Sequence, residues 1–481
     1  MSSETPRPQP EPTTAAAEGE AAPVATPTPQ AENVVETPAP VVDATPAPAA
    51  APDKLQRAMW WVFAIGTIVR VVFVLTVHRP IDFDYSDMHS YIDRAREMAT
   101  PGQSPSIYDW YYPSGSAFFI SIWLRIFGMK LGWLVAGVVQ ALYSGAEIPL
   151  IYFATKRYFS KQVAFGAALL FATHYLSIGY AGFFMSENYL AISIIGACAL
   201  FVPEKPKRLL AAGLLLGLGA WAKSQAVLLA PMWSLVLWRR GQRLGAVLLT
   251  AGTMAVVIPI SIYVSVVNHQ PTFISYNGGQ TFALAHCPIR EISYNDPIGH
   301  TGAMFTLPVQ NQRFERGDVE ASWGNAAYKE PFVHSNFYMR EGFKCIQRYP
   351  AHYLRMIFYH LADTFCGPPW SITMPWPDSH THFRYFSLVS NLFVCLICFP
   401  LALWGLKQRW REMAMWVYFV LPLGSVIVTA VLFHGDSRFR CPYDFGIFIA
   451  ACGAVEYWWK QRQAPNAPPS LGTQAGGAPR G

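Results

Sequence analysis

Ten apolar stretches dominate the chain, at 58–77, 131–155, 162–181, 184–202, 209–222, 225–238, 244–267, 386–406, 412–433 and 441–459. Most approach the roughly 20 residues that a helix needs to cross a bilayer core of about 30 Å. Backbone N–H and C=O groups find no partners in hydrocarbon, so a stretch that spans it has to be helical. The pattern predicts an all-α polytopic membrane protein with about ten transmembrane helices. Charged residues make up only 14% of the chain. Soluble domains carry about 25%, so a single soluble globule is excluded.

Basic clusters separate the stretches: Lys54/Arg57, Lys156/Arg157/Lys161, Lys205/Lys207/Arg208, Arg239/Arg240/Arg243, Lys407/Arg409/Arg411 and Lys460/Arg462. Short loops rich in Lys and Arg stay cytoplasmic. With ten spans and a cytoplasmic N-terminus, all six clusters fall on that side. The net charge of +6 is then a topology signal, and nucleic acid is not an expected partner. Residues 113–128 test the count. If they spanned, every later cluster would face outward. They are read as a helix at, or dipping into, the outer interface, which suits Trp123 and Arg125.

This divides the chain into five parts. Residues 1–53 hold eight acids, one base, 12 Pro and 13 Ala, with no Phe, Trp or Tyr. Such a segment buries too little to offset its ordering entropy, which predicts a disordered cytoplasmic tail. Residues 54–267 form a transmembrane catalytic module with a first outer loop at 78–130. Residues 268–384 form an extracytoplasmic loop subdomain, in which Pro350 opens a helix through Tyr353, Met356, Ile357, His360 and Leu361. Residues 385–460 are the C-terminal spans, and 461–481 a second disordered tail, also cytoplasmic. Cys287, Cys345 and Cys366 share the large loop, an odd number whose pairing is open. Cys395 and Cys398, inside a span, read as packing residues, and so does Arg70 in the first span.

Two places concentrate polar groups. The stretches 209–222 and 225–238 are each about 20 Å of helix, short of the bilayer core. They meet at Ala222-Lys223-Ser224, which puts Lys223 below the outer surface. A charge there needs a protein-lined or water-filled cavity. The alternative, one long tilted helix, would put Arg239 and Arg240 outside. The first outer loop carries Asp82, Asp84, Asp87 and Asp93 within twelve residues. Asp87, Tyr91, Ala95 and Met98 share one helical face. By spacing alone, an acid in the first turn is first of all a complement to the helix dipole.

The run Asp87-x-x-x-Tyr91-x-x-x-Ala95-x-x-Met98 resembles the first-loop motif of membrane glycosyltransferases of the GT-C fold, such as protein O-mannosyltransferases and the aminoarabinose transferases of lipid A. Further segments resemble that family in the same order. They are Tyr112-Pro-Ser-Gly-Ser-Ala-Phe-Phe-Ile with Arg125-Ile-Phe-Gly128, Met185-Ser-Glu187-Asn-Tyr-Leu, Trp221-Ala-Lys223-Ser-Gln, Asn277-Gly-Gly-Gln-Thr-Phe and Asp436-Ser-Arg438-Phe-Arg440-Cys-Pro-Tyr. The resemblance implies a GT-C arrangement with juxtamembrane helices and a polyprenyl-phosphate-linked sugar as donor. It implies transfer to a protein, lipid or glycan acceptor on the outer face of the cytoplasmic membrane, with inversion. By the same resemblance Asp87 is the general base. Lys223, Arg438 and Arg440 bind the donor phosphate, and Asp84, Tyr91, Tyr112 and Glu187 are candidate contacts to substrate or metal. Tyr112 falls where some relatives carry a phosphate-binding lysine, a departure that puts a phosphate contact there in doubt.

The chemistry suits these residues. A lipid phosphate leaves without a proton, so the paired acids of a glycosidase are not needed. A base for the acceptor hydroxyl and cations for the phosphate suffice. The sequence requires no cofactor and leaves a divalent metal open. His380-Thr381-His382 reads as a solvated loop feature. Two rivals remain. A transporter or lipid flippase would often show inverted repeats, and none is visible. A non-catalytic scaffold would have no use for an intramembrane lysine, which costs ~2.5–3.5 kcal/mol to insert.

Overall fold

The computed structural model describes residues 54–84, 86–103, 110–267, 269, 271–286, 335–367 and 381–463. The expected tail 1–53, residues 464–481, and parts of both outer segments, including Cys287 and His380, lie outside them. Among the described residues every regular element is helical. The first half runs α1 (Lys54–Val72), α2 (Ser86–Ala99), α3 (Gly115–Thr155), α4 (Lys161–Thr173), α5 (Tyr175–Ala181), α6 (Ser186–Leu200), α7 (Pro206–Ala222), α8 (Leu229–Arg239) and α9 (Arg243–Val267). The large loop supplies α10 (Asn277–His286), α11 (Ser335–Arg348) and α12 (Pro350–Cys366). The C-terminal part runs α13 (Thr381–Phe393), α14 (Phe399–Arg409), α15 (Met413–Met415), α16 (Leu421–Leu432), α17 (Ser437–Arg440) and α18 (Asp444–Gln463).

All ten apolar stretches lie mainly on helices. Among the described residues five helical stretches are long and apolar enough to cross a membrane: Lys54–Val77, Gly115–Thr155, which Gly128 interrupts, Arg243–Val267, Tyr385–Arg409 and Met413–Leu432. A sixth is added if α4 and α5, bent by 52°, form one span. The chain is an integral membrane protein. α6 and α8 fall short because they hold only 15 and 11 residues. α18 continues through Gln463, so residues 461–463, expected in the C-terminal tail, are helical. An i,i+4 ion pair, Glu456–Lys460 at 2.9 Å, supports its last turns.

Local chemistry explains the breaks. Ser160 caps α4 by accepting from Val163 N, and Pro206 and Pro350 open α7 and α12 where no N–H is needed. The run 115–127 does not continue into the following span. Gly128 breaks α3 with φ 74°, a left-handed conformation that glycine adopts without penalty. The chain then folds back so tightly that a Cβ on Gly132 would lie 2.7 Å from Leu124 Cα. α7 and α9 pack backbone to backbone, since a Cβ on Gly213 would lie 2.1 Å from Leu249 O. Close approach of this kind through small residues is how membrane helices gain contact without a hydrophobic driving force.

Arg70 packs as expected. Its guanidinium reaches Ser144 Oγ (2.9 Å), Ser177 Oγ (2.9 Å) and the carbonyls of Gly66, Ala172 and Phe171 at 3.0–3.3 Å. The last two carbonyls belong to the end of α4, which breaks at His174; Phe171 O also accepts from His174 N, and Arg70 supplies further donors to this helix end inside an apolar bundle. Cys395 and Cys398 are buried free thiols. In the large loop Cys345 is disulfide-bonded and Cys366 is free.

Candidate active site

Three segments far apart in sequence converge on one group of charges. The first is the opening turn of α2, which carries Asp87. The second is the break after α7, where Lys223 adopts an extended conformation (φ −153°, ψ 115°) before a 3-10 turn at Ser224–Leu228. The third is α17, a four-residue helix whose N-cap, Asp436, accepts from Arg438 N at 2.8 Å.

Arg438 Nη1 lies 2.8 Å from Asp87 Oδ2, and the two residues are 351 positions apart. Tyr112 donates its hydroxyl to Asp87 Oδ1, also at 2.8 Å. Lys223 Nζ donates to Glu187 Oε1 at 2.5 Å, and Ser186 Oγ lies 3.3 Å from Glu187 Oε2. Asp436 Oδ2 sits 3.5 Å from Arg438 Nε. Phe439 contacts both cations, its ring 4.2 Å from Lys223 Nζ and 5.0 Å from the Arg438 guanidinium carbon. Such contacts favour a desolvated cation over an aromatic face. The Tyr91 ring lies 5.7 Å from that of Tyr112.

Tyr112 is held from several sides. Its carbonyl accepts from Arg94 Nη1 at 3.0 Å. The preceding carbonyls of Trp110 and Tyr111 accept from Tyr276 N and Asn277 N, so the first outer loop is stitched to the start of the large loop. Trp221 Nε1 donates to Ser114 Oγ at 2.9 Å, tying the lysine break to the start of α3. The large loop also touches the third segment. A Cβ on Gly435 would lie 1.6 Å from His360 O, so only glycine lets α12 approach α17 this closely.

The electrostatics favour a charged Asp87. Burial alone would push its carboxyl up. The Arg438 guanidinium, the hydrogen bonds from Tyr112 and Arg438, and the Lys223 charge outweigh burial and hold it below the usual carboxylate range. Burial and the neighbouring Asp87 push the Tyr112 phenol up, so it stays a donor. Burial also pushes Asp436 up, against the pull of Arg438. Side-chain exposure is 18% for Asp87, 16% for Lys223, 6% for Arg438 and 2% for Glu187, so the group is shielded but Asp87 and Lys223 remain reachable.

Of the residues singled out in the sequence, Asp87, Tyr91, Tyr112, Glu187, Lys223 and Arg438 lie in this group. Asp84 does not. It pairs with His89 Nδ1 at 2.8 Å on an exposed face. Arg440, expected at the donor phosphate, also stands apart from this group. It is fully buried and bonds Asp444 Oδ1 (2.8 Å), Asn391 Oδ1 (2.6 Å), Phe365 O (2.7 Å), Thr364 O (3.3 Å) and Cys395 Sγ (3.1 Å). Two residues along a helix turn the side chain by about 200°, so Arg438 and Arg440 face opposite ways. Asp436 and Phe439 received no role from the sequence. An Asp at the start of a short helix is an N-cap signal that local sequence carries; the contact of the Phe439 ring with both cations leaves no such signal.

His174, Cys441 and Asp444 place one ligand atom each within 4.8 Å of one another. The donor set fits a divalent cation poorly. Asp444 is committed to Arg440 and lies 3.2 Å from His174 Nε2, and His174 Nδ1 lies 3.0 Å from Ser390 Oγ. A guanidinium against the carboxylate would oppose a second cation.

The fold and site thus define an all-helical integral membrane protein with an acid, a tyrosine and two cations gathered between helix ends. Residues 112–265 match the family model described as dolichyl-phosphate-mannose-protein mannosyltransferase. That segment holds Tyr112, Glu187 and Lys223, and its match accords with the GT-C resemblance read from the short motifs. The chain is also similar to the Archaeoglobus fulgidus oligosaccharyltransferase tethered with an acceptor peptide, with 14% identity, TM-score 0.44, and coverage of 84% of this chain and 50% of that one. The archaeal oligosaccharyltransferase AglB from the same organism, in complex with an inhibitory peptide and a dolichol-phosphate, gives 14% identity, TM-score 0.43, and 86% and 52% coverage. ArnT from Cupriavidus metallidurans bound to undecaprenyl phosphate gives 16% identity, TM-score 0.40, and 86% and 81% coverage. The chain spans about half the length of the archaeal enzymes it matches. No curated protein sequence matches it.

Proposed function

We propose that this protein is a membrane glycosyltransferase that moves one sugar from a polyprenyl-phosphate donor to an acceptor hydroxyl. The observation that carries the reading is the Asp87 carboxylate, held ionised beside Tyr112 and Arg438 with Lys223 close by. Asp87 takes the hydroxyl proton as the acceptor oxygen attacks the anomeric carbon. Lys223 and Arg438 hold the phosphate as the glycosidic bond breaks, and arginine suits its oxygens through bidentate contact. Charge that develops on a phosphate oxygen is stabilised by cations already in place. A single displacement inverts the anomeric centre. Tyr112 orients the base rather than binding phosphate.

The basic clusters support a site on the outer face of the cytoplasmic membrane, with 54–267 and 385–460 as the spanning parts and 268–384 as the outer subdomain. The partners in this reading are the lipid-linked sugar, a protein, lipid or glycan acceptor, and the bilayer. The test is Asp87→Asn, which keeps the shape and cannot take the proton. Folded protein that still transfers at a near-normal rate would overturn the assignment. A transporter or flippase would instead move a lipid between leaflets, so polyprenyl phosphate binding with no translocation in liposomes separates the two.

A further inference from the structure

Both cations assigned to the phosphate are already engaged by acids. Arg438 Nη1 is 2.8 Å from Asp87 Oδ2, and Lys223 Nζ is 2.5 Å from Glu187 Oε1. Neither pair is a solvent-screened surface contact, because Glu187 is 2% and Arg438 6% exposed. A lipid phosphate would bring a third anion to the same two cations. At contact distance it would compete with both carboxylates, and with Asp436 already 3.5 Å from Arg438 Nε a further anion there is repelled strongly in a poorly solvated site.

We propose that the donor phosphate displaces Asp87 from Arg438 and Glu187 from Lys223, so that donor binding itself releases the catalytic base. This rests on the functional reading above and adds an order of events to it. Without donor, Asp87 and Glu187 neutralise the cations that will hold the phosphate, with Asp436 a further acid beside Arg438, so that no poorly solvated cation is left uncompensated. With donor in place, the phosphate takes over that role. Asp87 keeps its hydrogen bond from Tyr112 but loses the guanidinium that weakens it as a base. Glu187 keeps Ser186 Oγ beside it and borders a small, mainly apolar cavity to which Ser177 and Asn188 contribute polar side chains. Phe439 contacts both cations and can hold them in position while their partners change. The acceptor hydroxyl therefore meets an active base only after the donor has bound.

The experiment is equilibrium binding of a polyprenyl monophosphate without sugar to the full-length protein in nanodiscs of neutral lipid. Asp87→Asn and Glu187→Gln each remove an anion that competes with the phosphate, and each should bind the lipid about tenfold more tightly than wild type, a difference of about 1.4 kcal/mol. Lys223→Ala and Arg438→Ala should bind it more weakly. Asp93→Asn, on an exposed face with Arg96 and His89 as partners, is the control and should bind like wild type. Unfolding temperatures measured on the same samples show that each variant is folded. If Asp87→Asn and Glu187→Gln bind no more tightly while Lys223→Ala has lost affinity, the exchange is wrong and the phosphate assignment stands. If Lys223→Ala and Arg438→Ala both bind like wild type, the phosphate assignment falls and the exchange falls with it.

Discussion

Arg438 and Arg440 sit two residues apart on one short helix, both buried, and they do opposite things. Arg440 is saturated. Asp444, Asn391, two carbonyls at the end of α12 and Cys395 take its donors, and it is 0% exposed. Arg438 faces an acid that a tyrosine also holds, next to a second ion pair, at the one place in the group where Asp87 and Lys223 can be reached. A buried arginine with every donor used fixes structure. A buried arginine that faces one buried and one partly exposed carboxylate, Asp436 and Asp87, can exchange the second for another anion. The two types of residue look identical in the string Arg438-Phe439-Arg440.

The comparison can be broken most forcefully at Asp87. Asp87→Asn should lower transfer by ~10²–10⁴, the usual cost of losing a positioned base, in protein that still unfolds cooperatively, since Arg438 loses one carboxylate but keeps Asp436. Next is Arg440→Ala, which strands Asp444 fully buried without its cation. Breaking a buried pair in this way costs about 3–5 kcal/mol, so detergent-solubilised protein should unfold well below wild type. Arg438→Ala should destabilise less and act mainly on donor affinity. Equal stability of Arg438→Ala and Arg440→Ala would erase the distinction drawn here.

A smaller effect concerns the large loop where it meets α17. Burial, followed by the neighbouring His286, pushes His360 down to about 4, against about 6.5 when exposed. Its folded value lies below its unfolded value, so the unfolded chain binds more protons between them. Stability is unaffected above about pH 6.5 and is lost as pH falls toward about 4. Hydrogen exchange of α12 should therefore quicken across that window and level off above it, and His360→Gln should flatten the dependence. Asp93→Asn should be the mildest change, altering transfer by less than about threefold, because its pairs with Arg96 and His89 are solvent-exposed and such pairs contribute ~0–1 kcal/mol.

Much of this protein is written in local sequence. Apolar length placed the helices, since a chain in hydrocarbon must close its own backbone hydrogen bonds. Pro350 marked the start of a helix in the large loop. The position of Asp87 in a first turn and of Lys223 at a helix break also followed from spacing, because the helix period and the bilayer thickness are fixed lengths. What spacing could not supply was direction and partnership. The fold-back at Gly128 depends on one residue's left-handed φ. The split between Arg438 and Arg440 depends on which elements pack against each face of α17. The pairs Asp87–Arg438 and Lys223–Glu187 join residues 351 and 36 positions apart, and a pattern with a period of a few residues carries no information over such distances. Only the packing of the bundle determines which charges meet.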